Sequence, residues 1–236
     1  MRTYRADERG RTELSWLDSR HTFSFGEYDD PERTGFGPLR VVNDDRVAAA
    51  GGFATHPHRD MEILTYVVDG AVAHRDSMGH TTTVAAGEVQ LMSAGSGVTH
   101  SEFNPSKSEA ARFLQIWIVP RTRGGEPRYQ QRRIDWNVPA DWVLLASAAA
   151  DGDAVLIDQD VAIRAARVGN ADSVSLDVPA GRHGWLQVVA GRVRVTGGTD
   201  GADRDLGEGD ALSWEQRAGT TMRASGDAEL LHFDLP

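Results

Sequence analysis

Two pairs of residues in the first half of the chain have the types and spacing to hold a metal ion. His56 and His58 form an H-x-H pair; His100 and Glu102 form an H-x-E pair about forty residues later. In a β-strand, side chains at i and i+2 point to one face, roughly 6.6 Å apart. Each pair can therefore aim two donors into one cavity. Two such strands, paired or facing each other inside a barrel, bring all four donors to a single ion. Three imidazoles and a carboxylate suit Fe, Ni, Co, Mn, Cu or Zn, and ligand type alone does not choose among them. Four protein donors on an octahedral ion leave two positions, for a bidentate substrate or for one substrate oxygen plus O2. Glu62, also at even spacing from His56 and His58, is a competing carboxylate. With no cysteine in the chain, thiolate sites, disulfides and cysteine nucleophiles are excluded.

The elements that must position these residues read as β-strands. "MEILTYVVDGAVAHRDS" (61–77) is rich in β-branched and aromatic residues and turns at Asp69-Gly70, a hairpin signal. "HTTTVAAGEVQLMSAGSG" (80–97) gives two more strands around Ala86-Gly87, and "ARFLQIWIVP" (111–120) alternates and stops at Pro120. Short strands with turn signals every eight to twelve residues predict an all-β barrel or sandwich. Residues 1–38, polar with scattered aromatics and broken by Gly and Pro, predict irregular structure with one or two short strands. Residues 121–150 read as a connector, in which Trp136 and Trp142 are expected to seal the junction between two halves.

The second half repeats the plan. "HGWLQVVAGRVRVT" (183–196) has the strand-Gly-strand form of residues 62–75; Gly191 lies 121 residues after Gly70, and Gly209 lies 122 after Gly87. Matching turns at a nearly constant offset predict an internal duplication. Carried forward by that offset, His56 and His58 fall on Asp177 and Pro179, and the H-x-E pair falls within "TTMRA" (220–224). The second copy keeps the scaffold and lacks the ligands. If the histidines served folding alone, both copies would carry them.

Composition narrows the function further. A formal charge of -10 argues against a general affinity for nucleic acid or anionic membrane. The charged N-terminal stretch lacks the apolar core of a signal peptide, and no apolar run is long enough to span a bilayer. A soluble, cytoplasmic, monomeric protein is expected. No dinucleotide-binding, P-loop or serine-nucleophile motif is present. His21, His74, His80, His183 and His232 are read as ordinary hydrogen-bonded core or surface residues, and Asp76 and Ser77 as turn-capping ones. Phe53, Met61, Phe103 and Trp117 are candidates for an apolar pocket around a flat aromatic ligand.

"THPHRDMEILTYVVDG" with "GEVQLMSAGSGVTHSEFN" resembles the two cupin motifs. Together with "HTFSFGEYDDP" and "HRDSMG" they are similar to the pirin family over most of residues 14–120. The resemblance implies a bicupin: an N-terminal metal-binding barrel over 1–135 and a degenerate C-terminal barrel without a metal site over 136–236. It implies one divalent ion, foremost Fe(II), held by His56, His58, His100 and Glu102. Glu102 takes the carboxylate place that Glu62 holds in many other cupins, and Glu62 is left as a residue behind the ligands. The activity implied is that of a quercetin 2,3-dioxygenase, which opens a flavonol with O2 and releases CO, with Glu102 as the general base. A metal-bound regulatory protein acting through a protein partner is the alternative, as described for the animal relative.

Overall fold

The computed structural model describes residues 1–136, 141–149, 152–198, 200–215 and 218–236. Apart from a single 3-10 turn at Ala6–Glu8, regular structure among the described residues is entirely β. None of it is a helix long and apolar enough to cross a membrane. The strands of the first half are β1 (Arg2–Tyr4), β2 (Gly10–Leu14), β3 (Leu17–His21), β4 (Leu39–Val47), β5 (Gly52–His58) and β6 (Glu62–Asp69). They are followed by β7 (Ala71–Asp76), β8 (Thr81–Ala85), β9 (Glu88–Ser93), β10 (Val98–Phe103), β11 (Ala111–Ile118) and β12 (Arg128–Arg133). The second half adds β13 (Val143–Ser147), β14 (Val155–Leu156), β15 (Ala162–Val168), β16 (Ser173–Val178) and β17 (His183–Ala190). It closes with β18 (Arg192–Gly197), β19 (Arg204–Gly207), β20 (Ala211–Trp214), β21 (Ala218–Ala224) and β22 (Ala228–Leu235).

These strands form two compact units, but no single cut in the chain separates them. One unit holds Arg9–Ile134 and Val155–Gln159; the other holds Met1–Glu8, Asp135–Ala154 and Asp160–Pro236. The first eight residues thus belong with the second half, where a division at 135/136 would not put them. The reason is local: β1 pairs with β20, Tyr4 is buried with its ring 4.7 Å from that of Trp185, and the Arg5 guanidinium bonds Asp210 at 2.9 Å. Trp142 packs on the core of this same unit, and the Arg167 guanidinium lies 4.0 Å over the Trp136 ring. The recorded contacts of both tryptophans therefore fall inside one unit.

In the N-terminal unit a large antiparallel sheet, ordered β12-β9-β6-β11-β4-β3-β2, faces a small one, ordered β5-β10-β7-β8. Strand alternation sends one set of side chains from each sheet into the space between them. Two apolar layers form there. One contains Leu17, Val47, Val67, Val72, Val84 and Phe113; the other contains Ile63, Met92, Ala94 and Val98.

A polar row separates these layers. Gln90, Thr65, Gln115, Asn43 and His21 are successive cross-strand partners on β9, β6, β11, β4 and β3. Cross-strand partners share a face, so the row runs transversely across the large sheet. All five side chains are buried.

The C-terminal unit repeats the design. Its large sheet runs through β1, β20, β17, β22, β15 and β13, and its small sheet is ordered β16-β21-β18-β19. The predicted duplication is visible in the turns: Gly70 between β6 and β7 has φ 72°, and Gly191 between β17 and β18 has φ 79°. Here Val174, Leu176, Val178, Met222 and Ala224 of the small sheet pack on Leu186, Leu212, Trp214 and Leu230 of the large one. This interior is mostly apolar, with the buried His232 directly across from Leu186.

Candidate metal centre

The small sheet of the N-terminal barrel brings the two pairs together. β5 and β10 are antiparallel neighbours in which His100 lies directly across from His56, and an irregularity between His100 and Glu102 shifts the register. The imidazole rings of His56, His58 and His100 form a triangle with centroid separations of 4.8, 4.5 and 4.8 Å. One donor atom from each lies within 4.8 Å of the others. Burial, reinforced by the neighbouring rings, pushes His58 down to about 4 and His100 lower still. Both are therefore neutral at pH 7, the form in which imidazole binds metal. His56 Nδ1 lies 2.7 Å from the Ala54 carbonyl oxygen, which leaves Nε2 as its lone pair.

His100 supplies the test of fit. It is 1% exposed, and both of its ring nitrogens are buried without a hydrogen-bond partner. A buried polar group left unpaired costs roughly 1–3 kcal/mol, so an orphaned imidazole between two others fits a divalent ion. The donor set is all N and O, which iron, nickel, cobalt and zinc all accept.

Glu102 stands in a second group, with His74 and His100, again within 4.8 Å. Its carboxylate accepts from Gln115 Nε2 at 2.8 Å on both oxygens and from Thr65 Oγ1 at 3.3 Å. Burial raises Glu102 to about 7, opposed by those hydrogen bonds.

His74 is more than an ordinary core histidine. It is fully buried, directly across from Glu102 on the neighbouring strand β7. Its Nε2 lies 3.0 Å from Asp76 Oδ2, and its Nδ1 lies 3.3 Å from Gln90 Nε2. Asp76 also accepts from the backbone of Met78 and His80, so its turn-capping and imidazole-holding roles coincide. The Tyr129 ring covers both His74 and His80, at 4.9 and 4.7 Å.

Glu62 lies elsewhere. The chain leaves β5 at His58, turns through Asp60 at φ 50°, and enters the other sheet as β6. There Ile63, Thr65 and Val67 face the interior, so Glu62 faces away, accepting from Ser93 Oγ at 2.8 Å. Equal parity within one strand does not survive a change of sheet.

The four aromatic and apolar candidates separate. Trp117 meets His58 edge-on at 4.9 Å and is itself met by Phe25 at 5.4 Å. Met61 and Trp117 pack against the apolar layer of Ile63 and Met92, while Phe53 packs in the opposite layer, 5.1 Å from Trp16. Phe103, next to inward-facing Glu102, necessarily points outward and is 41% exposed; it does not line the interior. A cleft of about 450 Å³ bordered by Pro57, His58, Arg59, Ser77 and Thr99 opens beside the histidines.

The missed residues left a faint signal. Thr65 in "EILTYVV", Gln90 in "EVQLM" and Gln115 in "RFLQIWI" are each a lone polar residue inside an apolar strand. Only the register shows that they are neighbours.

Two antiparallel β-barrels, the first with a histidine triangle and a buried carboxylate inside, define a bicupin whose candidate metal centre, among the described residues, lies in the first barrel. The family model for pirin matches residues 3–118, and that for the quercetinase C-terminal cupin domain matches 144–235. A quercetin 2,3-dioxygenase of Escherichia coli K12 is 46% identical over 98% of this chain and 97% of its own length. A putative quercetin 2,3-dioxygenase of Mycobacterium tuberculosis is 39% identical over 98% and 93%. The crystal structure of the bacterial pirin YhhW from E. coli in complex with nickel(II) is 42% identical, with a TM-score of 0.91 and coverage of 100% and 98%. The chain belongs to the pirin family.

Proposed function

We propose that this protein is a metal-dependent dioxygenase that opens flavonols such as quercetin with O2 and releases CO. The observation that carries the reading is the triangle of imidazoles around the orphaned, buried His100, with the Glu102 carboxylate beside it. The kinship with proteins named quercetin 2,3-dioxygenase supplies the substrate class. His56, His58, His100 and Glu102 would hold one divalent ion, Fe(II) or, as in the nickel-containing relative, Ni(II). Bound there, the ion supplies Lewis acidity that makes the flavonol 3-hydroxyl a stronger acid.

The chain's own groups do the rest. Glu102, bound to the ion or transiently released from it, takes that proton on a carboxylate oxygen as general base. Trp117, edge-on to His58, gives a flat aromatic ligand a wall beside the histidines. Met61 and the Ile63–Met92 layer keep water from the same end of the barrel.

The test is flavonol loss in air, followed by visible absorbance, with metal-free protein and with protein reloaded with Fe(II), Ni(II) or Co(II). Saturable loss that needs the ion and vanishes in His58→Ala is expected, and Glu102→Gln is expected to abolish turnover while the fold persists. No loss with any ion despite stoichiometric binding would overturn the reading in favour of a regulatory metal protein.

A further inference from the structure

Gln115 lies in the middle of β11, between Leu114 and Ile116, and is 6% exposed. Its side-chain oxygen is buried without a hydrogen-bond partner, a loss of roughly 1–3 kcal/mol for a polar group. The compensation is all at the other end of the amide. Its Nε2 is 2.8 Å from both oxygens of Glu102 and 3.3 Å from Thr65 Oγ1. Thr65, its direct cross-strand partner on β6, donates to Oε1 of the same carboxylate at 3.3 Å. A carboxylate has about four lone-pair positions. Oε1 faces two donors and Oε2 one, so Oε2 is the oxygen with a lone pair to spare.

We propose that Gln115, backed by Thr65, is the positioning residue of the metal centre: it fixes the Glu102 carboxylate so that Oε2 is the atom presented to the ion and, once the carboxylate is off the ion, to the substrate proton. This rests on the reading of Glu102 as ligand and base. The arrangement is rigid because both donors stand on the large sheet, while Glu102 stands on the small one at the register shift that follows His100. A carboxylate at an irregular strand position would otherwise be free to turn. The donors reach it across the barrel and hold it at a fixed depth between the two apolar layers. Outer partners of this kind change metal affinity through the ligand they hold.

The experiment is Ni(II) affinity, by competition with a chromophoric chelator, for wild type, Gln115→Leu, Glu102→Ala and the double variant, with the visible spectrum of each protein loaded with Co(II). Gln115→Leu is expected to weaken Ni(II) binding about tenfold and to shift the Co(II) bands. In the Glu102→Ala background it is expected to change neither, because the group it acts through is gone. Wild-type affinity in Gln115→Leu, or the same loss in both backgrounds, would overturn the proposal. Wild-type affinity in Glu102→Ala would instead overturn Glu102 as a ligand, so the two failures are distinct. Should Gln115→Leu fail to fold, Thr65→Val removes one donor to the carboxylate, a long one at 3.3 Å, and should cost about threefold in affinity, with Thr65→Ser restoring it. No loss in Thr65→Val then counts against the proposal.

Discussion

Arg112 and Asp44 illustrate what one side chain carries in this barrel. The guanidinium meets the carboxylate with two hydrogen bonds, Nε to Oδ1 at 2.9 Å and a terminal nitrogen to Oδ2 at 2.7 Å, and Arg9 approaches the same acid at 3.9 Å. Both members of the pair are buried. Removing Arg112 leaves Asp44 with only the longer Arg9 contact, so Arg112→Met should destabilise the N-terminal barrel by about 3 kcal/mol, the low end for a broken buried pair, read from the denaturant midpoint. A change below about 1 kcal/mol would mean that water reaches Asp44. At this scale the sequence was informative where chemistry came in close pairs. The H-x-H and H-x-E spacings could be read as same-face donors, because two residues on one strand need no tertiary knowledge. His74, Thr65, Gln90 and Gln115 could not, since each is a single polar residue whose meaning comes from a partner on another strand.

Between elements, backbone spacing matters more than side-chain chemistry. Gly52 opens β5 opposite Phe103, and a Cβ there would meet the Glu102 carbonyl oxygen at 2.3 Å and Phe103 Cα at 2.5 Å. Strands must approach to about 4.8 Å to keep their ladder, so Gly52→Ala has to push β5 away from β10. The prediction is a loss of Ni(II) affinity of at least tenfold, since histidine donors on both strands must converge, with the C-terminal barrel unaffected. Titration with Ni(II) reads it; unchanged affinity would show that the two strands yield without moving their histidines. The hairpins at Gly70 and Gly191 were legible because a glycine between alternating runs has few other uses. The placement of β1 was not legible, because "MRTYRADE" carries almost no apolar signal and its partner lies two hundred residues away. Spacing alone left Glu62 open as a competing carboxylate for a related reason: parity is a property of one strand, and the turn at Asp60 ends it.

For the molecule as a whole, two barrels of one design bury different groups, the first a polar row and the second a mostly apolar interior with His232, which makes their responses to acid different. His232 is buried in the C-terminal unit, and burial, with the charge of Arg164 beside it, pushes it down to about 3. An unfolded histidine titrates near 6.5. Below that pH the unfolded chain binds a proton that the folded one refuses, so stability is lost as pH falls from 6.5 toward 3. His232→Leu removes this linkage. Its stability relative to wild type should rise by about 2 kcal/mol between pH 7 and pH 5, measured by denaturation at both; parallel profiles would show that the imidazole finds solvent when charged. The pairing of β1 with β20 has a consequence for the order in which the protein can be made. Residues Arg2–Tyr4 precede the strand they join, Ala211–Trp214, by about two hundred residues, so they leave the ribosome well before it. The first barrel, built mainly from Arg9–Ile134, can close in that interval while β1 waits for β20. Arg2, Arg5, Asp7 and Glu8 keep the waiting segment soluble, and the second barrel takes its edge strand from residues that come before the first.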